Sequence, residues 1–177
     1  MLPLVTVMFC TLCALGYLLA RAIGLPLRLD LPMSLRVVGG VVLIAGCGLL
    51  GWLFRYRSPM AVLVSTYLTF AKTVRGVSAS EPTGRTEPLV IAGPHRWVRH
   101  PYFAAVIVLV AGWWLVLDYT FLLFAAGLLV VWFNFVVIPF EERELRALFG
   151  SQYETYARST PRMIPSLRRR SGDRTPR

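Results

Sequence analysis

Four apolar runs, each closed by a charged residue or a charged cluster, divide this chain. They occupy residues 1–20, 35–54, 103–117 and 121–140. A helix needs roughly 20 apolar residues to cross the hydrocarbon of a bilayer, and few folds other than a membrane bundle suit a chain that repeats such runs. Composition agrees: 56% of residues are hydrophobic and 16% charged, whereas soluble domains carry about 25% charge. The expected fold class is all-α, a polytopic membrane helix bundle of four to five spans with a C-terminal amphipathic helix. Residues 1–165 are expected to form a single transmembrane domain, and 166–177 a basic, disordered tail.

The first run has no basic stretch before it and no small-residue cleavage site after it, so a retained helix is expected rather than a signal peptide. The second carries Gly39, Gly40, Gly46, Gly48 and Gly51. Small residues let membrane helices approach closely, which places this span inside the bundle. Residues 60–74 are short and dotted with polar side chains, and read either as an interfacial half-span or as a short crossing. The N-terminal orientation turns on that choice. Residues 75–89 read as a surface loop that covers the site. Asp118 and Thr120 suit a tight turn and an N-cap, Asn134 an interhelical hydrogen bond, and Pro139 a kink. Residues 143–157 place Leu145, Leu148, Phe149, Tyr153 and Tyr156 on one side of a surface helix.

The net charge is +10; seven Lys/Arg fall in residues 55–100, nine in 141–177 and three in 21–36. Arginines beside spans, without interleaved aromatic residues, suit anionic lipid headgroups and exclude nucleic acid as a partner. The two richest segments flank the hairpin of the last two spans. Both, with the C-terminus, are expected on the cytoplasmic side of the cytoplasmic membrane. Cys10, Cys13 and Cys47 lie within spans and read as small buried packing residues. The histidines stand five apart with no cysteine beside them, so no metal site is expected.

Residues 93–102 hold both histidines, His95 and His100, with Arg96, Arg99, Pro94 and Pro101, directly before the third run. Glu141-Glu142-Arg143-Glu144 ends the fourth. In an antiparallel hairpin the two clusters meet on one side of the membrane. Ionisable groups at that depth are costly unless they have a use, so the clusters read as the walls of a site.

Four blocks then resemble, in order, the isoprenylcysteine carboxyl methyltransferase family and the related phospholipid methyltransferases. They are Gly93-Pro94-His95-Arg96 running into Arg99-His100-Pro101, Glu141-Glu142 with Leu145, Phe149-Gly150 with Tyr153 and Tyr156, and Pro161-Arg162 with Ile164-Pro165. The resemblance covers residues 89–165. It departs from the family at His95, where a tyrosine is usual, and at Phe103 and Ala105, where tyrosine and glycine are usual. The resemblance implies an integral-membrane methyltransferase that moves the methyl group of S-adenosylmethionine to a lipophilic or lipid-modified substrate, such as an isoprenylcysteine-type carboxyl group.

On that implication His100 and Arg99 donate to the cofactor carboxylate, and Glu141 or Glu142 accepts from its ammonium. Tyr153, Tyr156 and Trp97 frame the adenine. No glycine-rich strand-to-helix turn exists for a Rossmann mode of binding. Arg162 is the candidate cation for a carboxylate acceptor, and Glu142 the candidate base for an amine acceptor. Plainer roles stand beside these: Arg96 on lipid phosphates, His100 as a helix cap, the tyrosines as interfacial anchors, one glutamate paired with Arg143 or Arg146. His95 is expected to be exposed rather than catalytic. The alternatives are an NADPH-dependent membrane reductase of the steroid-reductase type, or a non-catalytic membrane scaffold.

Overall fold

The structure, a computed structural model, describes residues 2–60, 62, 64, 67 and 88–165. Most of the 60–74 segment, the loop up to residue 87 and the tail 166–177 lie outside the described residues. Among the described residues the regular elements are all helical. Helix α1 is Leu2–Ala22, α2 is Met33–Phe54, a 3-10 turn covers Gly93–Arg96, α3 is Pro101–Leu117, α4 is Thr120–Trp132, and α5 is Ile138–Ser159. A π-helical turn, Phe133–Val137, joins α4 to α5, so one helical run extends from Thr120 to Ser159. Two helical stretches, α2 and this long run, are long and apolar enough to cross a membrane.

Helices α3 and α4 form the hairpin that the sequence requires. Phe103, Val110, Ala126, Leu129, Phe133, Val137 and Ile138 make its core. Helix α2 packs along α3, and α1 along α4. Glycines set the first contact: a Cβ on Gly39 would meet Leu115 and Val116, and one on Gly46 would meet Leu109. Gly40, Gly48 and Gly51 have open space at that position. The expectation that this span is interior is therefore corrected. Among the described residues one glycine face of α2 packs, while Val41 and Ile44 are 62% and 74% exposed. Cys10 and Cys47 are likewise exposed rather than buried, and Cys13 is half-buried.

The end of the bundle remote from the histidines is closed by the α1–α2 loop. Asp118 adopts a left-handed conformation after α3 (φ 60°), and its side chain is buried. The carboxylate accepts from the Leu29 and Leu31 amides at 3.2 and 3.0 Å and pairs with Arg36 at 3.4 Å. Thr120 is not the N-cap of α4; that position is Tyr119. The Thr120 hydroxyl instead donates to the Pro26 carbonyl at 2.6 Å, and Arg28 donates to the Tyr119 hydroxyl at 2.8 Å. The turn thus serves the loop more than the helix.

Asn134 is corrected too: its amide donates to Val130 O within its own helical run, at 2.9 Å. Near Pro139 the departure from α geometry is the π turn over Phe133–Val137. A proline ring clashes with the carbonyl four residues earlier and brings no N–H, and a wider turn relieves both defects.

The glycine contacts predict opposite outcomes for neighbouring positions. Gly39→Ala destabilises by about 1–3 kcal/mol, because the methyl meets Leu115 and the Val116 backbone with no room to move. Gly40→Ala meets open space and gains up to about 1 kcal/mol of helix propensity. Thermal unfolding of the two variants in one detergent checks the difference.

Candidate functional site

Two prolines and a glycine shape the approach to α3. Gly93 (φ 58°) lies under the Tyr56 ring, where a Cβ would collide, and so docks the 3-10 turn on the end of α2. Pro101 opens α3 with the fixed φ that a first helical turn accepts. His100 occupies the N-cap position, but its side chain does not cap. The ring faces α5 instead, where Nδ1 lies 3.2 Å from Glu141 Oε2.

Backbone pairing brings in the last motif. The Arg99 amide donates to Pro161 O at 2.8 Å and the His100 amide to Arg162 O at 2.9 Å. Arg162 is thereby held over α5. Its Nε and Nη2 donate to the two Glu142 oxygens at 3.1 and 3.0 Å. Arg99 Nη1 reaches Glu142 Oε1 at 3.0 Å, His100 Nε2 stands 3.6 Å from the same oxygen, and Arg146 Nη2 lies 3.5 Å from Oε2. The Glu142 side chain is 1% exposed. Of the two glutamates, then, Glu142 is saturated by cations, while Glu141, on the cleft wall, bonds His100.

Gly150 turns the chain back. Its φ of 50° and ψ of −126° break α5 into two arms, a conformation that a side chain strains. The 143–157 segment is therefore not one continuous amphipathic face, and Leu148 is exposed. The second arm buries Tyr153 and Tyr156 against the 3-10 turn, where the Tyr156 hydroxyl donates to His95 O at 2.7 Å.

Between these pieces lies a cleft of about 490 Å³, counting the part open to solvent. Arg57, His95, Arg99, His100 and Glu141 supply its polar wall, with Leu89, Val90, Leu145, Phe149, Tyr153 and Tyr156 as its apolar and aromatic slot. Among the described residues, three buried polar atoms on this wall have no hydrogen-bond partner, His95 Nε2, Arg99 Nε and Tyr153 Oη, while His100 Nε2 has Glu142 Oε1 at 3.6 Å. Each such atom costs about 1–3 kcal/mol unless a ligand satisfies it.

Not every expected residue reaches the cleft. Trp97 is 62% exposed and does not line it; the residue ends the 3-10 turn, and Val98 beside it turns inward instead. Arg162 also lies outside, on the far side of Glu142. There it borders a mostly apolar groove of about 920 Å³, again counting open space, with Ile107, Val108, Val130, Asn134 and Met163. His95, expected to be exposed, lines the cleft, as does Arg57. Its place in the proline-rich stretch was the available signal for His95; nothing local marks Arg57, which arrives on the end of α2.

Burial alone would raise the Glu142 pKa, but the donors on His100 and Arg162 and the charges of Arg99 and Arg162 hold it down at about 2. A carboxylate so held stays ionised and is a weak base near neutral pH. Burial would also discharge His100, yet the carboxylates of Glu141 and Glu142 against its two ring nitrogens raise its pKa above the ordinary value. Burial raises that of Tyr153.

The sequence profile of the isoprenylcysteine carboxyl methyltransferase (ICMT) family matches residues 60–147. Methanethiol S-methyltransferase 2 of Bradyrhizobium diazoefficiens is 34% identical over 145 residues, 75% of this chain and 50% of that protein. Methanethiol S-methyltransferase of Mycobacterium tuberculosis is 30% identical over 121 residues, 64% of this chain and 48% of that protein. The chain thus spans about half the length of these relatives. No solved structure matches it.

The charge cluster predicts a dome of stability against pH. Glu142 contributes above its ordinary value of 4.5, and its contribution is lost as pH falls through about 2. His100 contributes below its ordinary value of 6.5 and loses this as pH rises through its higher folded value. Glu142→Ala leaves Arg99 and Arg162 uncompensated and costs about 3–5 kcal/mol near neutral pH. Melting temperatures in detergent across the pH range, wild type against variant, check both limbs.

Proposed function

The chain belongs to the isoprenylcysteine carboxyl methyltransferase family, and on that premise we propose that it is an integral-membrane methyltransferase whose methyl donor is S-adenosylmethionine. The carrying observation is the set of buried polar atoms on one cleft wall that find no partner among the described residues, His95 Nε2, Arg99 Nε and Tyr153 Oη. Two of them, Arg99 Nε and Tyr153 Oη, are donors suited to a carboxylate, beside the His100 ring. Glu141 suits an ammonium, and Leu145, Phe149 and Tyr156 line a slot for a purine. An amino acid joined to adenosine combines those features. When bound, S-adenosylmethionine supplies an electrophilic methyl group on a sulfonium.

What the chain contributes is placement. His100, held as a cation between Glu141 and Glu142, orients the donor carboxylate. Glu142 is a positioning residue that fixes Arg99, His100 and Arg162. Methyl transfer needs alignment of acceptor, methyl and sulfur more than it needs a base, and a wall of ion pairs set by backbone hydrogen bonds supports such alignment. The apolar groove beyond Arg162 supports a lipophilic acceptor.

For the acceptor atom we favour a thiol. Two relatives are named for methanethiol, and Arg162, the cation on the groove, is already neutralised by Glu142 through two hydrogen bonds. An isoprenylcysteine-type carboxylate is the second reading, favoured by the half-exposed side chain of Arg162 at the groove edge. On this proposal residues 1–165 form one catalytic domain of four to five spans, with the cleft and C-terminus cytoplasmic. The arginine-rich tail 166–177 then rests on anionic lipid.

Methyl-labelled S-adenosylmethionine, incubated with purified protein and either small thiols or a prenylated cysteine acid, tests the reading. Label is expected on the thiol, and His100→Ala and Glu141→Gln are each expected to weaken S-adenosylhomocysteine binding at least about tenfold. Binding of NADPH in place of S-adenosylhomocysteine would overturn the proposal in favour of a reductase. Binding of neither would leave a scaffold.

A further inference from the structure

His95 is a cleft residue with no role in the account above, and the inference drawn from it rests on the methyltransferase reading. Its Nδ1 lies 3.3 Å from the Arg99 carbonyl oxygen. A carbonyl only accepts, so Nδ1 carries the proton and Nε2 presents a lone pair. Burial, then the charge of Arg57, push the ring's pKa down to about 4, so it stays neutral at working pH. The Tyr156 hydroxyl fixes the His95 backbone at 2.7 Å. Nε2 is buried and bonds nothing, which leaves a desolvated acceptor for whatever fills the cleft.

Among the partnerless atoms on the wall, His95 Nε2 can only accept, Arg99 Nε can only donate, and Tyr153 Oη can do either. Among the described residues, the charged groups sharing the cleft with this ring are Arg57, Arg99, His100 and Glu141. A cationic donor brought to His95 would meet the repulsion of Arg57 and of the His100 imidazolium, whereas an ammonium is better matched by the Glu141 carboxylate. The partner suited to His95 is therefore a neutral N–H or O–H.

We propose that His95 Nε2 accepts a hydrogen bond from a neutral donor on the adenosine part of the bound methyl donor, which makes His95 a specificity-determining residue for the nucleoside. The neutral donors of adenosine are the exocyclic amine of the base and the ribose hydroxyls. The shared chemistry is a single N–H or O–H pointing at a fixed imidazole lone pair.

Calorimetry in detergent with S-adenosylhomocysteine, on wild type, His95→Phe and His95→Gln, tests this. His95→Phe is expected to bind about tenfold more weakly, and His95→Gln, whose amide oxygen replaces the lone pair, to recover most of the loss. The inosine analogue lacks the amine, and the deoxyribose analogues lack single hydroxyls. Wild type is expected to bind one of them about tenfold more weakly, and with that analogue His95→Phe costs nothing further. Equal affinity of wild type for every analogue overturns the assignment even if His95→Phe does not fold. So does a loss in His95→Phe that is the same for all of them, since that is what a merely structural role produces. In both cases wild type still binds S-adenosylhomocysteine and the methyltransferase reading stands; failure of wild type to bind it overturns that reading itself.

Discussion

The buried carboxylate of Glu142 is the constraint on which the second half of the chain depends. An ion taken out of water costs several kcal/mol unless its partners are close and well directed. Here the partners come from three places: Arg99 and His100 before α3, Arg146 one turn along α5, and Arg162 after α5. Three chain segments therefore have to converge with correct register for one side chain to be tolerated. The backbone pairing of Arg99 and His100 with Pro161 and Arg162 supplies that register.

The same cluster divides space. Arg99 and His100 face the polar cleft, Arg162 borders the apolar groove, and Glu142 binds all three. One ionic wall thus borders a polar cleft on one side and an apolar groove on the other. The opposite end of the bundle shows what a purely structural carboxylate looks like. Asp118 is as deeply buried as Glu142, but its oxygens meet two amides and Arg36, and they close a loop. Around Glu142 the ions are paired, yet Arg99 Nε and Tyr153 Oη find no hydrogen-bond partner among the described residues. Surplus of that kind is what separates a site from a clasp.

Much of this was legible from residues alone. The hairpin and the meeting of His100 with Glu141 and Glu142 follow from two consecutive apolar runs joined by a short turn, with polar clusters at their far ends. The four motif blocks converge in space as their order suggests. Side-chain direction was not legible. Trp97 looked suited to adenine but ends the 3-10 turn facing outward, whereas His95, two residues earlier, turns in. Which glutamate lines the cleft depended on which of them α5 aims at Arg99 and Arg162. Gly150 carried no sign that it would take a φ of 50° and fold the tyrosine arm back. The glycines of α2 could not reveal which of them would face α3.

Taken by itself, the order of apolar runs and charged clusters determined that the chain is a helical membrane bundle with its ionisable residues gathered at one end of a hairpin. Period and length are local properties, and a bilayer admits few structures that satisfy them. The tertiary structure alone decided that Glu142 is locked among cations, that Arg162 sits on the far side of it, and that His95 offers a buried lone pair to the cleft. Those outcomes depend on ångström-scale distances between segments far apart in the chain, and burial rewards only the one arrangement that pairs the charges.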